Sequence, residues 1–282
     1  MAEMFPNGST VIFRYGDADV FYGFLFISKQ DKKTYKCIAY DQLIYLAKAK
    51  GSLMRQIQTL DSFVNDVAYA IGERMRLGSL DQTEYKLGKY NFDNVTYLDI
   101  LYQSIQDNLV GNGYMYTLRD NFGALDLTDT FDLRLPLVVG DESLAVDFEY
   151  SKSLDEDTYN YVRLAKDDKQ KGVRDFYVAQ DNNSISKWGK LVLYEKITAN
   201  LSDVQIAERA NMILSIKNRE TESLKIDCVG DVRVMPGSGI KIEIAEADLN
   251  MWAVVDSVTH DFGKDKHTMA VNLMFGRWYD GL

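Results

Sequence analysis

Residues 257–275 read SVTHDFGKDKHTMAVNLMF and contain both histidines of the chain. Two runs of strand-forming residues flank Gly263, Lys264, Asp265 and Lys266, a pattern that specifies an antiparallel hairpin. A four-residue loop fixes the register, with Phe262 opposite His267, His260 opposite Met269 and Val258 opposite Val271. The two imidazoles then occupy neighbouring rungs. A zinc site needs a third and usually a fourth ligand. No cysteine or carboxylate cluster accompanies His260 and His267 in the sequence, so no metal is expected there.

Outward from this hairpin the same period continues. Residues 224–228, 232–235, 239–244, 252–262 and 267–275 read as five strands in succession, following a helix over 202–218 that turns Ile206, Ala210, Ile213 and Leu214 inward. Earlier strands are expected at 145–151, 159–165, 175–180 and 191–195. Residues 114–119 and 124–129 form a hairpin around Asp120, Asn121, Phe122 and Gly123. The middle is helical: 60–74 carries Phe63, Val64, Val67, Ala68 and Ile71 on one stripe, and 96–109 carries Leu98, Leu101, Ile105 and Leu109, with Gly111 after its end. A short helix follows Asp41 and stops at Gly51. The chain opens with strands at 10–15, 20–28 and 34–40. The fold class is α+β, strand-rich at both ends with a helix-containing middle region.

The 282 residues hold 32 Lys and Arg against 42 Asp and Glu, a net charge of −10. That balance argues against a nucleic-acid surface and points to protein partners. Cys37 and Cys228 are too few for a disulfide framework, and a reducing compartment is expected. MAEMFPNGST lacks the apolar core of a signal peptide, and no apolar run approaches the ~20 residues that span a bilayer. A soluble, unsecreted chain without membrane association is expected.

Each catalytic pattern has a structural explanation. A reactive thiol belongs at a helix N-terminus beside an imidazole, whereas Cys228 falls on the apolar phase of the strand that contains Leu224 and Ile226. Asp147 and Glu149 lie on one strand face at roughly glycosidase spacing, yet alternation with Val146, Phe148 and Tyr150 already explains them as the wet side of a half-buried strand. The glycines of Met235-Pro236-Gly237-Ser238-Gly239 precede the strand residues Ile240, Ile242 and Ile244 and not a helix, so this is a turn and not a phosphate cradle. No catalytic residue, cofactor or metal is expected.

Four segments occur in a telling order: Cys37 to Leu46 (CIAYDQLIYL), Ser184 to Lys190 (SISKWGK), Val229-Gly230-Asp231 with Pro236 to Gly239, and Val258 to Phe262 with His267 to Met269. This series resembles the XkdQ/YqbQ family of baseplate hub proteins of contractile phage tails, defective prophages and R-type bacteriocins. The resemblance implies two barrel-like β modules: residues 1–40, and residues 137–282 with an inserted helix near 202–218. They flank a middle region at 41–136. It also implies a homotrimeric hub that joins a sixfold tail tube to a threefold central spike, with other baseplate proteins as neighbours. Such a protein assembles in the bacterial host cytoplasm and ends in the baseplate of a virion or tail-like particle. A tail-associated cell-wall hydrolase is the alternative. The strand at 10–15 has large apolar groups on both faces and is the first of the chain, an edge that invites pairing. Val11, Phe13, Tyr15, Phe21 and Tyr22 are therefore expected at or beside an intersubunit contact.

Overall fold

The computed structural model describes residues 5–32, 34–141, 145–168, 172–197, 201–264 and 266–276. Thr10–Tyr15, Ala18–Gln30 and Tyr35–Tyr40 form a three-stranded antiparallel sheet in chain order. Phe13 pairs with Phe21 and Ile12 with Tyr22. Phe24 and Leu25 of the central strand are buried, whereas the two outer strands stay largely exposed.

The chain then enters helix α1 (Leu43–Lys48), followed by α2 (Leu60–Ile71) and α3 (Tyr97–Asn112). Helix α2 buries Leu60, Phe63, Val64, Val67 and Ala68 and ends together with its apolar stripe at Ile71, short of the expected residue 74, because Gly72 adopts φ 88°. Helix α3 starts on the Thr96 hydroxyl, which accepts the Asp99 N–H. It runs through Gly111 to Gly113, whose left-handed backbone terminates it. Gly111 is instead the place where the Tyr85 ring lies against the helix; a Cβ there would overlap that ring. Lys50–Arg55 with Tyr90–Thr96, and Leu77–Leu80 with Leu125–Asp129 and Tyr116–Asp120, complete the shared core of this region.

The largest sheet has six strands in the order Arg134–Gly140, Gly239–Ile244, Leu249–Phe262, His267–Met274, Thr221–Val229, Ala145–Ser153. One core serves it, built from Val139, Leu224, Ile226, Cys228, Ile240, Ile242, Val255, Val271 and Leu273 among others. Its two outermost strands are nearly consecutive in the chain. The stretch from Gly140 to Ala145 reaches at most about 18 Å, less than the roughly 24 Å across six flat strands. The sheet must therefore curl. It does not close: among the described residues the two outer strands share no ladder, and the barrel-like module is an open, curled sheet. Residues 232–235 are not a strand. Asp231 accepts the Arg233 N–H with its side chain and the Val234 N–H with its carbonyl, a local turn that wins over sheet pairing and drops Val234 into the core.

Between the paired ends Ser153 and Thr221 lies an inserted unit. Val173–Gln180, Tyr161–Asp168 and Val192–Lys196 form its three-stranded sheet, and α5 (Asp203–Lys217) covers one face with Ile206, Ala210 and Ile213 against Val162, Leu164 and Ala179. Ser202 and Gln205 close a capping box at the start of α5. Helix α4 (Asn182–Trp188) has no buried residue and no apolar period; Asp181 defines it by capping the Asn183 and Ser184 amides.

Candidate assembly interface

The hairpin has the register expected from its loop length: Phe262 opposite His267, His260 opposite Met269, Val258 opposite Val271. Asp265 of the loop lies outside the described residues. The Nδ1 atom of His260 is 2.9 Å from Nε2 of His267, and its own Nε2 is 2.9 Å from the Val234 carbonyl. A carbonyl only accepts, so His260 Nε2 carries a proton, and in the neutral pair Nδ1 accepts from His267. Burial, then the neighbouring His260, hold the His267 imidazole below its usual pKa, against an opposing pull from Asp231. Phe262 stacks on His267 at 4.1 Å between ring centroids. Phe13 meets Phe262 edge-on at 4.8 Å, and Tyr15 lies 5.0 Å from Phe262 and 5.2 Å from His267. The N-terminal sheet is thus lashed to the far end of the chain by an aromatic clasp.

Asp231, the carboxylate whose field reaches His267, is engaged by the Arg233 guanidinium. Among the described residues no group of three or more His, Cys, Asp and Glu gathers as metal ligands. Elemental analysis of the purified chain is expected to find no stoichiometric zinc. About one zinc per chain, lost in His260→Ala, would overturn that.

The other residues singled out from sequence are dispersed. Phe13 and Tyr15 remain 36% and 42% exposed despite the clasp. Val11, Phe21 and Tyr22 are half-buried. Tyr22 packs against Phe24 and Phe122. It also lies against Gly123, where φ 86° and the nearby ring both exclude a side chain. Cys228 is buried in the curled sheet's core, and burial together with Asp227 pushes its thiol up to about 11, far from a reactive thiolate. Asp147 and Glu149 are exposed on the outer face, opposite Asp227 and Lys225; the side chain of Val146 lies outside the described residues. Gly237 adopts φ 83° in a turn where the Ser238 N–H donates to the Met235 carbonyl. No pair among these residues forms a nucleophile and base. What the N-terminal sheet does offer is an outer strand, Tyr35–Tyr40, with Tyr35, Ile38 and Tyr40 exposed and one backbone rail unpaired within the sheet.

A model of the YQBQ-like family matches residues 2–274. The chain belongs to the YQBQ-like family. It is similar to the phage-like element PBSX protein XkdQ of Bacillus subtilis (strain 168), with 27% identity over 95% of this chain and 82% of that protein. Its fold is shared with the tail protein from Neisseria meningitidis MC58, at a TM-score of 0.70 and 12% identity over 95% of this chain and 84% of that one. It is shared also with the E. coli c3393 protein, a type VI secretion component described as similar to the T4 tail proteins gp27 and gp5, at a TM-score of 0.57 and 11% identity over 95% and 64%. In this YQBQ-like chain the segments carrying the resemblance are joints of the fold. The Asp41 carboxylate accepts the Leu43 N–H where strand becomes helix, and the two histidines form the clasp.

One group had no sequence signal. Arg55 is 2% exposed, and its guanidinium donates to the Gly88 carbonyl, the Ser104 hydroxyl and the Asp107 carboxylate. Asp107 also receives Arg209 of α5 at 3.1 Å, and Arg209 reaches Glu195 at 3.3 Å. This chain of charges ties the helical middle to the inserted unit, beside a cavity of about 300 Å³.

Proposed function

We propose that this chain is a structural hub of a contractile phage-like tail, working as a homotrimer that adapts a sixfold tail tube to a threefold central spike, without catalysis. Residues 1–40 and 137–282 act in this reading as its two β modules, with 41–136 between them. The observation that carries the reading is the pairing of family with form: a YQBQ-like chain whose N-terminal sheet ends in exposed, apolar edge strands. A monomer in water gains nothing from such edges; a closed ring of copies covers them. The contact runs along Thr10–Tyr15 and Val20–Ser28, with Val11, Phe13, Tyr15, Phe21 and Tyr22 at or next to it. Tube, spike and other baseplate proteins are the further partners, met first in the host cytoplasm and then in the particle.

Phe13→Asp is expected to abolish incorporation into particles while the helical middle stays folded by circular dichroism. Within the chain it removes one edge-on ring contact, worth about 1 kcal/mol. Phe262→Ala removes that contact, together with those to Tyr15 and His267, and leaves Phe13 in place, so it is expected to incorporate. Normal assembly of Phe13→Asp would refute the contact, and clearing of a cell-wall gel by the purified chain would favour the hydrolase reading instead.

A further inference from the structure

The chain has only two imidazoles, and they share a hydrogen bond. They sit at a seam, with Phe262 and His267 of the C-terminal hairpin on one side and Phe13 and Tyr15 of the first strand on the other. Charged and titratable groups approach this seam from each element around it. The turn after Thr221–Val229 brings Asp231, already engaged by Arg233. The first hairpin brings Tyr15, with Asp17 in its turn and Arg14 paired to Asp19. In the C-terminal hairpin, Asp261 and Lys266 alternate onto the other face, and Lys264 is in the loop.

The four ring nitrogens limit how many protons the pair can hold. His260 Nε2–H donates to the Val234 carbonyl, and His267 Nε2–H donates to His260 Nδ1. Nδ1 of His267 is left, without a hydrogen bond among the described residues. A first added proton settles there and leaves every contact in place. A second has only His260 Nδ1 to occupy, and N–H then faces N–H across 2.9 Å, between two cations. The His267 ring cannot slide back to relieve this, because Gly230 lies so close behind it that even a Cβ there would overlap the ring. It can only turn outward, away from the Phe262 stack and from Tyr15.

We propose that His260 and His267 form an acid-sensitive latch, closed with no added proton or one and opened by the second, which frees the tip of the first hairpin from the C-terminal hairpin. The rest of the N-terminal sheet stays in place, since Tyr22 packs on Phe122 and Phe24 lies under Arg74. The latch is internal to one chain and does not need the trimeric reading; its consequence for assembly, a changed surface around Phe13 and Tyr15, does rest on it. Burial, then His260, hold His267 below its usual pKa. The closed form thus favours neutral imidazole: its contribution is complete above about pH 6.5 and is lost as pH falls. In the open form both rings take up a proton near pH ~6.5, whereas the closed form holds at most one. The opening constant therefore rises between about tenfold and about a hundredfold per pH unit below that value.

NMR of the full chain with labelled histidine and tyrosine rings tests this. The imidazole nitrogen shifts report each protonation state, and the Tyr15 resonances, displaced by the rings of Phe262 and His267, report whether the latch is closed. At neutral pH both imidazoles are expected to carry their proton on Nε2. On acidification the first proton is expected on His267 Nδ1 with Tyr15 unmoved, and the second is expected together with release of Tyr15, while far-UV circular dichroism stays constant. His267→Phe keeps a ring against Phe262 and Tyr15 and removes the titration, so Tyr15 is expected to stay bound in acid. His260→Gln leaves one imidazole, whose single proton is tolerated; release is expected at lower pH, with at most about a tenfold change per unit. This second variant carries the test if the first does not fold. Two protonated imidazoles with Tyr15 still bound would overturn the latch. So would an unchanged release midpoint in the folded variants, or release that coincides with loss of the helical signal, which would be general acid unfolding.

Discussion

Asp107→Ala lowers the unfolding free energy by about 3–5 kcal/mol, because it leaves a buried guanidinium with no counter-charge. Arg55 cannot move to water: the rings of Phe63, Tyr90 and Phe92 surround it at 5.7–6.0 Å, and its other two acceptors are neutral. Those same rings make Arg55→Met the milder change, since an unbranched apolar chain fills the space and Asp107 keeps Arg209. The double variant Arg55→Met/Asp107→Ala is expected to be more stable than Asp107→Ala alone. A urea titration of the four proteins forms a complete mutant cycle. Additive losses would show that Arg55 does not depend on that carboxylate.

Asp41→Asn works in the opposite direction. Burial first, and the nearby Asp120 second, raise the Asp41 carboxyl from 3.8 to about 6. A group whose folded pKa exceeds its unfolded value stabilises the fold when protonated. The wild type therefore has this contribution fully below about pH 4 and loses it as pH rises through about 6. The loss amounts to roughly 1–3 kcal/mol at neutral pH. Asparagine keeps the oxygen that accepts the Leu43 N–H and removes the buried charge, so Asp41→Asn is expected to be the more stable protein at pH 7.5 and equal to the wild type near pH 4. A pH series of denaturation midpoints decides it; a constant difference across the series would mean that Asp41 does not titrate in this range.

Local periodicity made much of the fold legible. The register of the histidine hairpin, the inward stripes of α2 and α5, and the strands Thr10–Tyr15 and Gly239–Ile244 all follow from alternation or helical spacing in the residues themselves. What escaped depends on distant partners. Lys50–Arg55 has a glycine, a serine and an arginine in six residues and is a strand only because Tyr90–Thr96 lies beside it. Arg134–Gly140 contains Pro136 and pairs in parallel with a strand some hundred residues later, a partnership with no local signature. Nothing in LMRQIQ announces the Ser104 and Asp107 partners of Arg55. The clasp was half visible: the imidazoles were placed on their rungs, but not the rings of Phe13 and Tyr15 that arrive from the other end of the chain.

Ser153 and Thr221 stand opposite each other on one rung. The inserted unit therefore leaves the curled sheet and returns at a single point, as the loop of a hairpin does. The entropic cost of such a loop grows only logarithmically, by about 0.6 kcal/mol for each doubling in length. Neither the register of the flanking strands nor the core beneath them depends on what the loop contains. Replacing residues 154–220 by a short turn would preserve each ladder of the six-stranded sheet and would cost the Asp107–Arg209 pair that ties the unit to the helical middle. The sheet is thus a frame whose ladders close without the unit it carries.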